Sequence, residues 1–555
     1  MSLESDADFV VFDRRNKWLK FSLSGAVFFI VGSASESQCK TLIEKLSKVE
    51  KKEFVKTFTG WLKSVAGHFG IICVFKKVVL AATDRVGSFQ VFIAKNASGW
   101  RIGNHAADLA EVAGLCELDG EGLLSLSMSG YVIGKRSVLT NFSVLQAGEA
   151  VILNQTKLDR WYYHKFLPVE PTQFRSEGYW LKKLSDTTLK VLDDLKQKAN
   201  GRQIVIPLSA GLDSRLVLSG LTHLKTDNVL TFSYGHPNNF EAMIAKKIAQ
   251  KLGVEWHFVP ITASSQGDFF KSSLHNDYIT YCHDFISTPF EQDLHPVNLL
   301  LSSDVIKRDA LIVNGNSGDF ITGGHIPPNF LQDDLVGQEK VCQFTQTFME
   351  KHFNLWENKF SQEDKARVVS LLSASLADEG LLKDPNIASF TMWERLEFLN
   401  RQSKYVISGQ RVYDFLELDW ALPLWSDEYL KFWAGVPLSL KINQNLYKKM
   451  LKKNNWGGVW DTTPTNQRVI SPSWIIPLRF AFKLIFFPFG KIAWHKFEKR
   501  FFSYWMDLVH NYSVQPYHLT IFRKSLARNA ISFHTENYEN FVKMEICKSQ
   551  FSRIE

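Results

Sequence analysis

The stretch Ile204–Ser219, IVIPLSAGLDSRLVLS, decides the fold. Its apolar run, Ile204, Val205, Ile206 and Leu208, reads as a buried strand. The short loop Ser209-Ala210-Gly211-Leu212-Asp213-Ser214 follows, and Leu216, Val217 and Leu218 continue as a helix. Strand, small-residue loop and helix is how an α/β sheet holds phosphate, because bare backbone N–H groups and a helix N-terminus face the anion. Gly211 lets the backbone approach closely, and Ser209 and Ser214 add hydroxyl donors. A carboxylate at Asp213 repels a bare phosphate, and makes sense with Mg²⁺ between the two. The loop has no lysine and so is not the G-x-x-x-x-G-K-[ST] type.

On either side the pattern is regular. Residues 178–200 read as an amphipathic helix ended by Asn200-Gly201. Then strand 203–208, helix 214–223, strand 228–234, helix 239–252 and strand 254–259 alternate. That alternation predicts a doubly wound parallel sheet with its ligand at the C-terminal ends of the strands. Residues 1–165 carry short alternating apolar runs, among them Phe9–Phe12 and Ala26–Val31. With polar helix candidates at 36–49 and 51–64, they predict an α+β sandwich.

The loop resembles the S-x-G-x-D-S loop of the ATP pyrophosphatases, which release pyrophosphate and leave AMP on a substrate. Four further stretches resemble the asparagine synthetase family. Gly67–Val74 and Leu80–Phe92, with Asp84-Arg85-Val86-Gly87, are similar to the family's glutamine amidotransferase domain. Asn314–His325, NGNSGDFITGGH, resembles its pyrophosphate loop G-D-G-G-D-E-L-F-G-G. Tyr447–Lys452 resembles its K-x-x-L-R segment.

The resemblance implies ATP held by Ser209, Gly211, Asp213, Ser214, Ser317 and Gly318, with adenine near Phe232 and Ser233. It implies Mg²⁺ between Asp213 and Asp319, and Lys448 as the lysine that stabilises developing charge, with Lys449 the fallback. Glu241 is either a helix cap or a site residue. His325 is a candidate ligand or acid/base group.

Departures from the pattern matter. The family's glutaminase attacks glutamine with an N-terminal Cys, and this sequence begins Met1-Ser2-Leu3-Glu4, with Cys39 its first cysteine. Asn316 and Phe320 stand where the pyrophosphate loop has Asp and Glu, and Ala421 stands where the family has Arg. The expected organisation is a degenerate amidotransferase-like domain over 1–170, a synthetase-like domain over 171–470 and an extension over 471–555. The expected activity is an AMP-forming amide ligase that joins a carboxylate substrate to a nitrogen donor. Candidate products are asparagine from aspartate or an amidated sugar uronate, and Arg528–Glu536, RNAISFHTE, is similar to tails of asparagine-synthase-like proteins of bacterial surface-polysaccharide loci. A non-catalytic ATP-binding protein and a cyclase of the β-lactam synthetase or lasso cyclase kind are the alternatives.

Composition bounds the rest. The chain has 555 residues, 45% apolar and 22% charged, which suits a globular protein of more than one domain. Its six cysteines show no C-x-x-C pair, which points to reduced, buried thiols in the cytoplasm rather than a disulfide framework. The acidic start, Met1–Asp13, does not read as a signal peptide, and Gly25–Gly32 is too short to span a bilayer. Residues 474–555 hold 12 Lys and Arg against 6 Asp and Glu. No nucleic-acid partner is expected, and the oligomeric state is left open. Within this tail Trp474–Trp494, WIIPLRFAFKLIFFPFGKIAW, is either an interfacial membrane patch or a helix docked on the synthetase domain.

Overall fold

A strand covered on both faces can be apolar at every position, and Ile204–Pro207 is the central strand of such a sheet. The computed structural model describes residues 10–12, 17–237, 239–332, 335–461, 470, 473–506 and 516–551. Five parallel strands lie in the order Glu255–Pro260, Val229–Gly235, Ile204–Pro207, Leu311–Val313, Asp419–Ala421. The helices Asp213–His223 and Phe240–Leu252 connect the first three strands in chain order. Strand order reverses between Ile204–Pro207 and Leu311–Val313, and the crevice at such a reversal is where doubly wound sheets bind ligands. The N-flanking helix runs from Glu177 to Ala199, capped by the Ser176 hydroxyl and stopped by Asn200 in the left-handed conformation.

The N-terminal part is a sandwich of two sheets. Six antiparallel strands run in the order Leu158–Tyr162, Glu149–Leu153, Val78–Thr83, Phe69–Phe75, Ala26–Gly32, Leu19–Leu23. Helices Glu36–Ser47 and Phe54–Ser64 cover one face, burying Leu42, Leu46, Phe58 and Trp61 against Phe28 and Ile71. The second sheet has four strands, Val10–Val11, Gly99–Gly103, Phe92–Asn96 and Phe142–Val144. Phe9 of the expected first strand lies outside the described residues, as do Met1 and Ser2.

The D-R-x-G stretch is structural here. The Asp84 carboxylate accepts from the backbone N–H groups of Phe69 (2.9 Å) and Val86 (2.8 Å), fixing the turn. Burial raises its pKa to about 6 even so. Arg85 donates to Val65 O at 3.0 Å and pairs with Asp427, so it ties the sandwich to the parallel-sheet layer.

The C-terminal helix Ala530–Phe551 packs on the N-terminal sandwich, burying Tyr538, Val542 and Ile546 beside Leu109 and Phe142. All six cysteines are free. Cys39, Cys73 and Cys282 are buried, but Cys342 and Cys547 sit on the outward faces of helices, so burial of the thiols holds only in part. Among the described residues no helix is long and apolar enough to cross a membrane.

Candidate active site

The two loops meet at the sheet's reversal. Gly315 and Gly318 bring the second loop so close to the first that no side chain fits between them. A Cβ on Gly318 would lie 2.3 Å from Asp213 Cγ, and one on Gly315 would lie 2.7 Å from Ser214 N. The crowding sets Asp213 under the turn that presents Asp319. Ser317 takes φ 63° to make that turn, the left-handed conformation.

The first loop is held from within. Ser209 N donates to Ser214 Oγ at 3.1 Å, and Gly211 N donates to Ser209 Oγ at 3.1 Å. Gly211 does not need a positive φ; a Cβ there would press on Ser209 Oγ at 3.1 Å. Arg215, fully buried, braces the loop from behind by donating to Ala210 O at 2.6 Å and lying over the Trp460 ring.

Asp213 Oδ1 accepts from Tyr447 O–H at 2.9 Å. Burial, then the like charge of Asp319, raise its pKa to about 7. Asp319 goes the other way. Desolvation by the surrounding loop would raise it, although its side chain is 56% exposed, but the hydrogen bond and charge of His325 outweigh that and hold it below the usual carboxylate range.

Asp319 Oδ2 meets His325 Nε2 at 2.9 Å, and His325 Nδ1 meets Glu397 Oε1 at 2.5 Å. Glu397 is fully buried and also accepts from Gln402 Nε2 at 3.0 Å. Gln402 Oε1 in turn accepts from Ser317 Oγ at 2.7 Å. Gln402 belongs to the π-helical segment Phe398–Val406, a wide turn of the kind that recurs at functional sites.

Two cavities flank the Asp213–Asp319 pair. The first, of about 300 Å³, is bordered by Ser209, Ser214, Phe232, Ser233, Glu241 and Ser317 among others. Phe232 and Ser233 border it without offering a free side chain. The Phe232 ring is buried, and Ser233 Oγ donates to Leu208 O at 2.7 Å and accepts from Trp256 Nε1 at 3.0 Å. Glu241 faces this cavity from the start of its helix, whose cap is instead the Asn239 side chain, accepting from Ala242 N at 2.8 Å.

The second cavity, of about 530 Å³, shares Gly211, Leu212, Asp213 and Asp319 with the first and adds Gln444, Lys448 and Lys452. Lys448 Nζ donates to Asn443 O at 2.8 Å at the rim of this cavity. Lys449 turns away to Glu177 at 2.8 Å, so the geometry favours Lys448 of the pair. Phe320 does not face either cavity. It is buried against Phe166 and Phe398, and the polar partner of Asp319 is His325.

Sequence reasoning missed Tyr447, Glu397 and Gln402. Each lies 72 or more positions from the loop residue it contacts, and no local pattern marks that contact. The same holds for Asp293, which accepts from both Tyr234 O–H (2.6 Å) and Tyr413 O–H (2.5 Å) on the first cavity's wall.

Mg²⁺ in such sites is held by one or two carboxylates together with substrate phosphates. Asp213 and Asp319 fit that donor set, since a cation would relieve both the desolvation of Asp213 and the like charge of Asp319 beside it. Among the described residues no cluster of three or more His, Cys, Asp or Glu makes a complete protein cage for a metal.

Residues 196–454, which contain both loops and Lys448, match the family model described as asparagine synthase. The stretch is an asparagine synthase family domain. At the coarse level this makes the protein an ATP-dependent amide ligase in architecture. Among solved structures, the chain is similar to an NH3-dependent NAD synthetase from Campylobacter jejuni subsp. jejuni NCTC 11168, in complex with the nitrate ion. That likeness has 17% identity over 38% of this chain and 93% of the other, at a TM-score of 0.20. It is also similar to a glutamine phosphoribosylpyrophosphate amidotransferase from B. subtilis, complexed with ADP and GMP. There the identity is 9% over 54% of this chain and 63% of the other, at a TM-score of 0.18. Among curated proteins none matches the chain.

Proposed function

We propose that the protein is an AMP-forming amide ligase working at the Asp213–Asp319 junction. A substrate carboxylate oxygen attacks the α-phosphorus of ATP, and pyrophosphate leaves. A nitrogen nucleophile then attacks the acyl-adenylate carbonyl, an amide forms, and AMP leaves with the oxygen. The observation that carries this reading is that one pair of carboxylates borders both cavities. ATP lies in the first, near Phe232, Ser233 and Glu241, and the acceptor carboxylate approaches from the second.

Ser209, Ser214, Ser317 and Gly318 contact the phosphates through hydroxyls and backbone N–H groups. Asp213 and Asp319 would hold Mg²⁺, whose charge supports pyrophosphate departure. Lys448 stabilises charge on the departing groups from the second cavity's rim. Glu397 and His325 fix the orientation of Asp319.

Ammonia or an amine supplies the nitrogen, and aspartate or a sugar uronate supplies the carboxylate. The Phe320 ring lies in the core where the family loop has a carboxylate, which favours an acceptor other than the family's own. The test is exchange of labelled pyrophosphate into ATP with aspartate, glucuronate and galacturonate offered in turn. Exchange that depends on one carboxylate and disappears in Asp213→Ala supports the ligase. Exchange surviving Asp213→Ala would sink it. ATP binding by calorimetry with no exchange on any carboxylate would favour a regulatory ATP-binding protein.

A further inference from the structure

Helices Ile475–Phe486 and Gly490–Phe501 form a hairpin through the turn Phe487–Phe489. Its inward stripe makes a small core of its own: Ile475, Phe482 and Phe486 pack on Trp494, Phe497 and Phe502. Phe482 and Phe486 lie 5.0 and 4.5 Å from Phe497 by ring centroid. Arg479 closes the two arms on Glu498, and Lys499 ties the base to Glu357 of the body at 2.6 Å.

The outward face is also apolar. At about 100° per residue, Pro477, Phe480, Ala481 and Leu484 fall opposite the inward stripe, with Ile476 and Ile485 at the flanks. Phe480 is 66% exposed, and at the tip Phe487, Phe489 and Ile492 are 84%, 70% and 76% exposed. A helix apolar on two opposite faces, broken only by Arg479 and Lys483 on one flank, belongs partly in an apolar surrounding, and an exposed apolar patch of this kind marks an interaction site.

We infer that this hairpin is a peripheral anchor that seats its Phe-rich outer face in the interface of an anionic bilayer. Charge selects the occupant. Lys483, Lys491, Lys496 and Arg500 are interleaved with the apolar residues, and the hairpin's one acid, Glu498, is spent on Arg479. Protein interfaces are depleted of lysine, whereas basic residues flanking Phe and Leu on a helix match anionic headgroups around an acyl boundary. Neither arm can span a bilayer. The hairpin therefore lies in the interface, buried to a depth of about 5–10 Å.

The full chain is to be sedimented with vesicles of phosphatidylcholine alone and of phosphatidylcholine mixed with phosphatidylglycerol. The chain is expected on the mixed vesicles, at least about tenfold more tightly than on the neutral ones, and less so in high salt. F480S/F487S/F489S is expected to weaken binding by about 100-fold, about fivefold for each ring, with an unchanged circular dichroism spectrum. K483E/K491E is expected to remove the preference for phosphatidylglycerol. Failure to bind either vesicle, or binding unchanged by the Phe substitutions, overturns the proposal. So does a dimer in solution that ignores vesicles and falls to a monomer in the Phe variant, since a second copy would then cover this face.

Discussion

Asp213 and Phe487 stand at opposite ends of one scale. Asp213 is a carboxylate drawn into a low-dielectric wall, pushed up to about 7 by burial and by Asp319. Phe487 is a ring of which 84% meets solvent. Between them most of the chain follows the ordinary rule, apolar in and polar out. What the contrast teaches is that local inconsistency carries direction. A half-buried charge set beside a like charge points to a ligand of opposite charge coming in. An exposed apolar wedge points to an apolar phase outside.

The largest expected effect tests the first half of the comparison. Asp213→Asn should lower carboxylate-dependent pyrophosphate exchange by about 100- to 1,000-fold, as loss of a charge-stabilising group does. The same substitution should stabilise the fold. A carboxyl whose folded pKa is raised from 3.8 to about 7 destabilises the native state increasingly as pH rises through that window. Above pH 7 the variant should therefore gain at least about 1 kcal/mol in urea unfolding. Lost exchange with lost stability would mean that Asp213 is a structural residue only.

Next in size is Glu397→Gln. Removing one member of a buried pair costs about 3 kcal/mol. Burial would lower the His325 pKa, but Glu397 and Asp319 outweigh it and raise it from 6.5 to about 9. A raised folded pKa gives stability that is fully present below pH 6.5 and is lost as pH climbs through about 9. In Glu397→Gln that loss between pH 6.5 and about 9 should flatten, read as a smaller change in urea midpoint. An unchanged slope would show that Asp319 alone sets the His325 charge.

Much of this was legible before any coordinates. Ile204–Ser219 announced strand, loop and helix, and the helix begins at Asp213, one position before the expected start at 214. Asp319 was visible through the resemblance of Asn314–His325 to the family's pyrophosphate loop, a resemblance carried by one continuous stretch. Tyr447, Gln402 and Glu397 were not, because their meaning depends on distant partners brought in by the crossover topology and by a π-helix that no periodicity signals. The two faces of Ile475–Phe486 could not be told apart either. A helix apolar on opposite faces gives the same sequence signal whether it is docked or exposed, and only the packing of Phe482 and Phe486 separates inside from outside.

Gly318→Ala is the third step down. The new methyl group would meet Asp213 Cγ at 2.3 Å, so one of the two loops must shift. Overpacking of this kind costs about 1–3 kcal/mol. Because the shift falls on the phosphate loops, the KM for ATP should rise about tenfold or more. A thermal shift without a change in KM would mean that the loops relax independently of the nucleotide.

The smallest expected effect concerns the hairpin, and it is small for a reason. Phe480, Phe487 and Phe489 are exposed in the folded chain and exposed again when it unfolds, so replacing all three by serine removes little burial. The melting temperature should move by less than about 2 °C, in contrast to the single-atom change at Glu397. Anionic vesicles bind only the folded hairpin, so they should raise the wild-type melting temperature and leave the triple variant where it was. A large drop in the variant without lipid would show that these rings already pack on the protein, and the two ends of the scale would then be one.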